Sequence, residues 1–193
     1  MNEGRRGDWI QTYRGRFWVL DPRPEDVNIE DLAHHLANIC RFSGACNVFY
    51  SVAQHSVLVS NLVRTSQELA GLFHDAAEAY IGDINTPLKR SLSEGGYIPG
   101  DLGRLVLGYL ESIEHNISSA IFEHFQITKY NRQEVKKADM IALYMEKRDL
   151  MAVSEVWGEE AIYNPLLSRE KIIPLSYKDS ERLFLQRYEG LRK

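Results

Sequence analysis

Apolar positions recur with helical spacing along most of the chain. Leu32, Leu36 and Ile39 share one face of a short helix, which Asn28 or Asp31 can cap. From Val52 to about Arg64, Val52, Val59 and Val63 form a stripe at i, i+7 and i+11, with Gln54 and Ser56 among them. The run QELAGLFHDAAEAY is alanine-rich and predicts one continuous helix ending near Gly82. Residues 102–125 and 132–151 predict two long amphipathic helices. The segment from Lys178 to about Leu191 predicts a last one, with Leu183, Phe184, Tyr188 and Leu191 on its apolar side.

Other segments break this pattern. WIQTYRGRFWVL, residues 9–20, is aromatic and β-branched around an Arg-Gly turn and predicts a short β-hairpin, closed by Asp21-Pro22-Arg23-Pro24. Residues 40–50, with Ser43, Gly44 and Asn47, predict a loop. Pro87, Gly95, Gly96, Pro99 and Gly100 make residues 83–101 a long connection with about one helical turn. Strand signals are few, so the expected fold class is all-α, with a short N-terminal β-hairpin.

Composition narrows the setting. The 193 residues are 44% hydrophobic and 26% charged, within the globular range, and the length suits one domain, 1–193. A net charge of −4 gives no electrostatic reason to expect a nucleic acid or an anionic membrane as partner. No apolar run approaches the ~20 residues of a membrane helix. The N-terminal MNEGRRGDWIQ lacks the apolar stretch of a signal peptide, which makes a cytoplasmic protein the expectation. Cys40 and Cys46 fit neither a disulfide framework nor a zinc knuckle.

The chemistry concentrates at polar residues set in apolar surroundings. His74-Asp75 interrupts Leu72, Phe73, Ala76 and Ala77, and is expected mid-helix. His55 lies in SVAQHSVLVS, and Asp139 lies between Ala138 and Met140. A lone buried histidine is more often a hydrogen-bonded core residue, and a lone Asp139 would suit a salt bridge. Four such groups from three helices are what a metal in a helical bundle requires. Buried carboxylates need a strong cationic partner, and a two-His, two-Asp set suits Zn, Co, Mn or Mg.

The pattern H…HD…D, as His55, His74-Asp75 and Asp139, resembles the signature of the HD superfamily of metal-dependent phosphohydrolases. HDAAEAYIGDINTPLK is similar to the HDxxExxxGDxxxPxK run of bacterial HD-type 5′-deoxynucleotidases and phage deoxynucleoside triphosphohydrolases. CRFSG…FYSVAQHS and LDPRPEDVNIEDLAHHLANICRF resemble the same group, over roughly residues 10–150. The resemblance implies a compact HD-domain helical bundle with a divalent metal held by His55, His74, Asp75 and Asp139. It implies catalytic roles for Glu78, as acid/base, and for Asp83, near the leaving group or a second metal. It implies substrate binding by Arg41, Phe42 and Lys89; Phe42 stands where relatives often have tryptophan, and serves either the substrate or the core. Ser43-Gly44-Ala45 is small near the expected base pocket, where some relatives carry a bulky aliphatic residue, which argues against strict adenine selectivity.

The activity implied is hydrolysis of the 5′ phosphoester of deoxynucleotides, first of dATP to deoxyadenosine and triphosphate. The alternatives are a 5′-deoxynucleotidase acting on monophosphates and a non-catalytic nucleotide-binding HD module. Partners implied are a small deoxynucleotide and further copies of the chain, as a homo-oligomer. A phage nucleotide-pool role in a host cytoplasm fits the resemblance. His34 and His35 are expected on a surface-facing helix, with one of them able to approach the site, and His115 and His124 fit no ligand pair.

Overall fold

The computed structural model describes residues 6–94, 101–153 and 155–192. The N-terminal pentapeptide and Gly95, Gly96, Pro99 and Gly100, on which parts of the leader and connection readings rest, lie outside the described residues. The architecture is a compact, mostly helical bundle preceded by a two-stranded antiparallel hairpin, β1 (Ile10–Gln11) and β2 (Arg16–Phe17). Ile10 pairs with Phe17, which places Phe17 inward, stacked on Tyr80 at 3.6 Å between ring centroids.

Among the described residues there are nine α-helices: α1 (Ile29–Asn38), α2 (Val52–Leu62), α3 (Glu68–Leu72), α4 (Glu78–Ile81), α5 (Thr86–Glu94), α6 (Leu102–His124), α7 (Arg132–Leu150), α8 (Glu160–Tyr163) and α9 (Tyr177–Leu191). Their starts follow from local chemistry. Asn28 caps α1, Ser51 caps α2, Asn131 caps α7 and Ser176 caps α9, each side-chain oxygen accepting from a first-turn amide. Of the two capping candidates for α1, Asp31 is instead buried and accepts from the Arg14 amide at 2.6 Å, tying the hairpin to the bundle.

Helix α9 packs across α1, α2 and α3, and α7 packs against α2. The main core gathers Leu32, Leu36, Val52, Leu72, Phe73, Ile117, Ile121 and Phe184. A smaller cluster of Val59, Val63, Ala70, Val135, Ala138 and Ala142 joins α2, α3 and α7. Gly71 lets α2 and α3 approach closely: a β-carbon there would lie 3.1 Å from the Ser60 α-carbon.

Three expectations need correcting. The alanine-rich run is not one helix, because residues 73–77 form turns between α3 and α4. There the amides of Ala76, Glu78, Ala79 and Tyr80 donate three residues back rather than four. The connection after Gly82 contains a nine-residue helix, α5, rather than about one turn. Pro87 sits in its first turn, where a missing amide costs nothing, and Asn85 accepts from the Leu88 amide. His34 and His35 are half-buried rather than surface-facing: His34 meets Glu181 of α9 at 3.1 Å, and His35 Nδ1 donates to the Ala79 carbonyl at 2.7 Å.

Candidate metal centre

His55 comes from the end of the first turn of α2, His74 and Asp75 from the irregular turns after α3, and Asp139 from α7. The irregular turns are a local property of this stretch. Phe73 still donates to Leu69 four residues back, whereas Ala76 donates to Phe73 and Glu78 donates to Asp75. Gly82, at a φ of 78°, then ends α4 in a conformation natural to glycine.

The ring orientations are fixed from behind. His74 Nδ1 donates to the Gly71 carbonyl at 2.8 Å, and His55 Nδ1 donates to Glu146 Oε1 at 2.6 Å. Each Nε2 is left with its lone pair facing the same point, and the two Nε2 atoms lie 3.2 Å apart. Asp75 Oδ2 is 3.4 Å from His55 Nε2 and 3.1 Å from His74 Nε2. One donor atom from each of His55, His74 and Asp75 lies within 4.8 Å of the others. Asp139 Oδ1 approaches the histidine nitrogens to 3.4 and 3.9 Å, while its Oδ2 accepts from Lys136 at 2.7 Å.

These spacings can be compared with a coordination shell. With metal–ligand bonds near 2.1 Å, neighbouring donors lie about 3.0 Å apart in an octahedron and about 3.4 Å apart in a tetrahedron. The nitrogen–nitrogen and nitrogen–carboxylate distances fall in or close to that range. Two lone pairs and the Asp75 carboxylate facing one another repel unless a cation or protons lie among them, so His55, His74 and Asp75 fit a divalent ion, with Asp139 Oδ1 beside the histidine nitrogens but outside that three-residue cluster.

Burial and charge set the protonation of the surrounding groups. Burial pushes the Asp75 carboxyl upward, but the histidines outweigh it and hold it well below the usual carboxylate range. Asp139 follows the same pattern. Burial and Arg41 oppose charge on His55, but Glu146, Asp139 and Asp75 prevail and raise its pKa well above the ordinary value. Glu78 goes the other way: burial, then the charges of Asp75 and Asp83, push it far above the carboxylate range. Its Oε2 is buried without a hydrogen-bond partner. Asp83 is also raised, first by burial.

The remaining expected site residues are placed as follows. Arg41 is buried; its Nη1 lies 3.7 Å from Asp75 Oδ2 and its Nη2 donates to Glu146 Oε2 at 3.1 Å. Phe42 lies beside the Arg41 guanidinium, 5.0 Å from ring to carbon, and 6.0 Å from the ring of Trp157. Phe42 and Ser43 hold left-handed backbone angles, φ 55° and 52°, ahead of Gly44 at 83°. Lys89 is not free: it pairs with Glu114 of α6 at 2.9 Å.

Sequence reasoning missed Glu146 and Trp157. Glu146 carried a usable signal: it lies on one face of α7, where Asp139, Ala142, Glu146 and Leu150 fall at i, i+3, i+7 and i+11 and alternate a carboxylate with an apolar residue. Trp157, in the segment between α7 and α8, carried none.

Fold and site thus define a helical protein with a His/His/Asp cluster able to coordinate a metal and consistent with metal-dependent hydrolytic chemistry. The chain belongs to the family of YfdR, an uncharacterized protein of Escherichia coli strain K12, to which it is 35% identical over 186 residues, covering 95% of each chain. It is also similar to an uncharacterized protein of Rhodobacter capsulatus, at 29% identity over 171 residues, 81% of this chain and 80% of the other. No protein-family model matches the chain. Among the described residues no helix is long and apolar enough to cross a membrane.

Proposed function

We propose that this chain is an HD-type metal-dependent phosphohydrolase, working as one domain, that cleaves the 5′ phosphoester of deoxynucleotides, with dATP as first substrate. The observation that carries the reading is the convergence of His55, His74, Asp75 and Asp139, together with the resemblance of HDAAEAYIGDINTPLK to HD-type deoxynucleotide hydrolases. A divalent ion held by these four residues supplies charge neutralisation on a phosphoryl group and makes a nearby water more acidic.

The chain's own residues do the rest. Hydrolysis breaks the bond between the α-phosphorus and the 5′ oxygen; hydroxide from water joins phosphorus and the 5′ oxygen takes the proton. Glu78, with its raised pKa beside an ionised Asp75, is the group suited to carry that proton. Asp83 assists it near the leaving oxygen. Arg41 steadies the charge on the phosphoryl oxygens, and Phe42 flanks the sugar or base.

A second reading, a 5′-deoxynucleotidase, is favoured by one observation. Lys89 is engaged by Glu114, which removes a free positive charge that a triphosphate tail would use. The test is a product assay with Mn, Co, Zn or Mg supplied separately against dATP, dGTP, dAMP and ATP. Deoxyadenosine with intact triphosphate supports the first reading. Deoxyadenosine and phosphate from dAMP, with dATP untouched, support the second. No turnover with any of the metals refutes both. Glu78→Ala is expected to keep the metal while turnover falls about 10²–10⁴-fold; near-full activity would remove Glu78 from this role.

A further inference from the structure

Glu146 is fully buried on α7, two helical turns beyond Asp139, and contributes no atom to the cluster of facing donor groups. A buried carboxylate is retained at a cost unless each oxygen is engaged. Both are: Oε1 accepts from His55 Nδ1 at 2.6 Å and Oε2 accepts from Arg41 Nη2 at 3.1 Å. The two histidines are therefore backed unequally. His74 leans on the neutral Gly71 carbonyl, whereas His55 leans on a full negative charge.

We propose that Glu146 is a positioning residue that ties the metal centre to the anion-binding arginine. Through Oε1 it fixes the His55 ring with Nε2 toward the ion and makes that nitrogen a stronger donor. Through Oε2 it holds the Arg41 guanidinium over the same site, with Nη1 near Asp75. One carboxylate thus sets the orientation of a ligand and of a phosphate-binding group, so that loading the ion and gripping an anion are geometrically coupled. The proposal rests on the metal reading of His55, His74, Asp75 and Asp139 and on the phosphate-binding role proposed for Arg41, but not on any particular nucleotide.

The experiment is a zinc titration of the purified full chain in competition with a chromophoric chelator, comparing wild type with Glu146→Gln, which preserves shape and removes the charge. Zinc affinity is expected to fall about 10–100-fold in the variant, the range for loss of a carboxylate behind a ligating histidine. Equal affinity in a folded variant overturns the proposal. A wild type that binds no zinc overturns the metal reading itself, a separate outcome. A second measurement needs no variant: long-range ¹⁵N–¹H spectra of the zinc-loaded wild type should show His55 protonated at Nδ1 and coordinating through Nε2. Coordination through Nδ1 would overturn the proposal even if Glu146→Gln failed to fold.

Discussion

Adding a divalent ion to the metal-free protein should raise its thermal stability by an amount that can be worked out. The folded chain sets the His55 and His74 Nε2 atoms 3.2 Å apart, with Asp75 Oδ2 at 3.1–3.4 Å and Asp139 Oδ1 at 3.4–3.9 Å from them, an arrangement the unfolded chain lacks. Binding to the folded state alone contributes RT ln(1 + [ion]/Kd), about 2.7 kcal/mol at a hundred-fold excess over Kd. For a chain of this length each kcal/mol moves the midpoint by about 2–4 °C, so the expected rise is about 5–11 °C. Asp139→Asn removes one charged donor. A hundred-fold weaker Kd at the same ion concentration would leave about 0.4 kcal/mol, or about 1–2 °C. The assay is a melt followed by circular dichroism at several concentrations of Zn, Co, Mn and Mg, with a chelator to reverse the effect. No shift with any of them, or an undiminished shift in both Asp139→Asn and His74→Ala, would refute the assignment of these residues as ligands.

Three further outcomes follow from the packing. Gly71→Ala should destabilise the protein by about 1–3 kcal/mol in urea unfolding, because its β-carbon meets the Ser60 backbone and the Val63 side chain. It should also weaken ion binding, since the Gly71 carbonyl orients His74. Phe184→Ala, at a fully buried position of α9 edge-on to Phe73, should cost about 3–5 kcal/mol in the same assay. Asp149 provides a pH test. Burial pushes its carboxyl upward, but Arg148, Lys171 and the Ile172 amide prevail and hold it below the usual range. A lowered folded pKa means stability present above the unfolded value and lost as pH falls through the folded one. Asp149→Asn should therefore lose about 1–2 kcal/mol at neutral pH, and the gap to wild type should close in acid below about pH 4. A gap unchanged down to strong acid would refute the ion-pair account.

How much of this was legible in the sequence depended on how local its cause was. The stripe Val52, Val59, Val63 acts within one element and falls where the pattern placed it, and the cap of α1 falls on Asn28, one of the two candidates the pattern left open. His55 and Asp139 were legible as polar groups among apolar neighbours, and the structure brings them within 3.4 Å of each other. The break at residues 73–77 was not legible, because alanine favours a continuous helix and the turns there depend on bonds three residues back and on His74 reaching Gly71. Helix α5 is longer than its sequence suggests, because Pro87 reads as a breaker although proline is at home in a first turn. Glu146 was hidden for a different reason. Its worth lies in two partners, Arg41 and His55, that are 105 and 91 residues away along the chain.

The placement of α9 bears on the order in which the protein can assemble. Its Phe184 and Tyr188 close the core formed by α1, α2 and α3, so early segments wait on one made more than a hundred residues later. Contacts so distant in sequence slow folding, since the intervening chain must be brought together before they reward it. Until α9 docks, Phe73 lacks its aromatic partners from that helix and the turns carrying His74 and Asp75 lack their backing. A nascent chain that already carries every cluster residue through Asp139 therefore still lacks the aromatic packing that α9 places behind the turns holding His74 and Asp75.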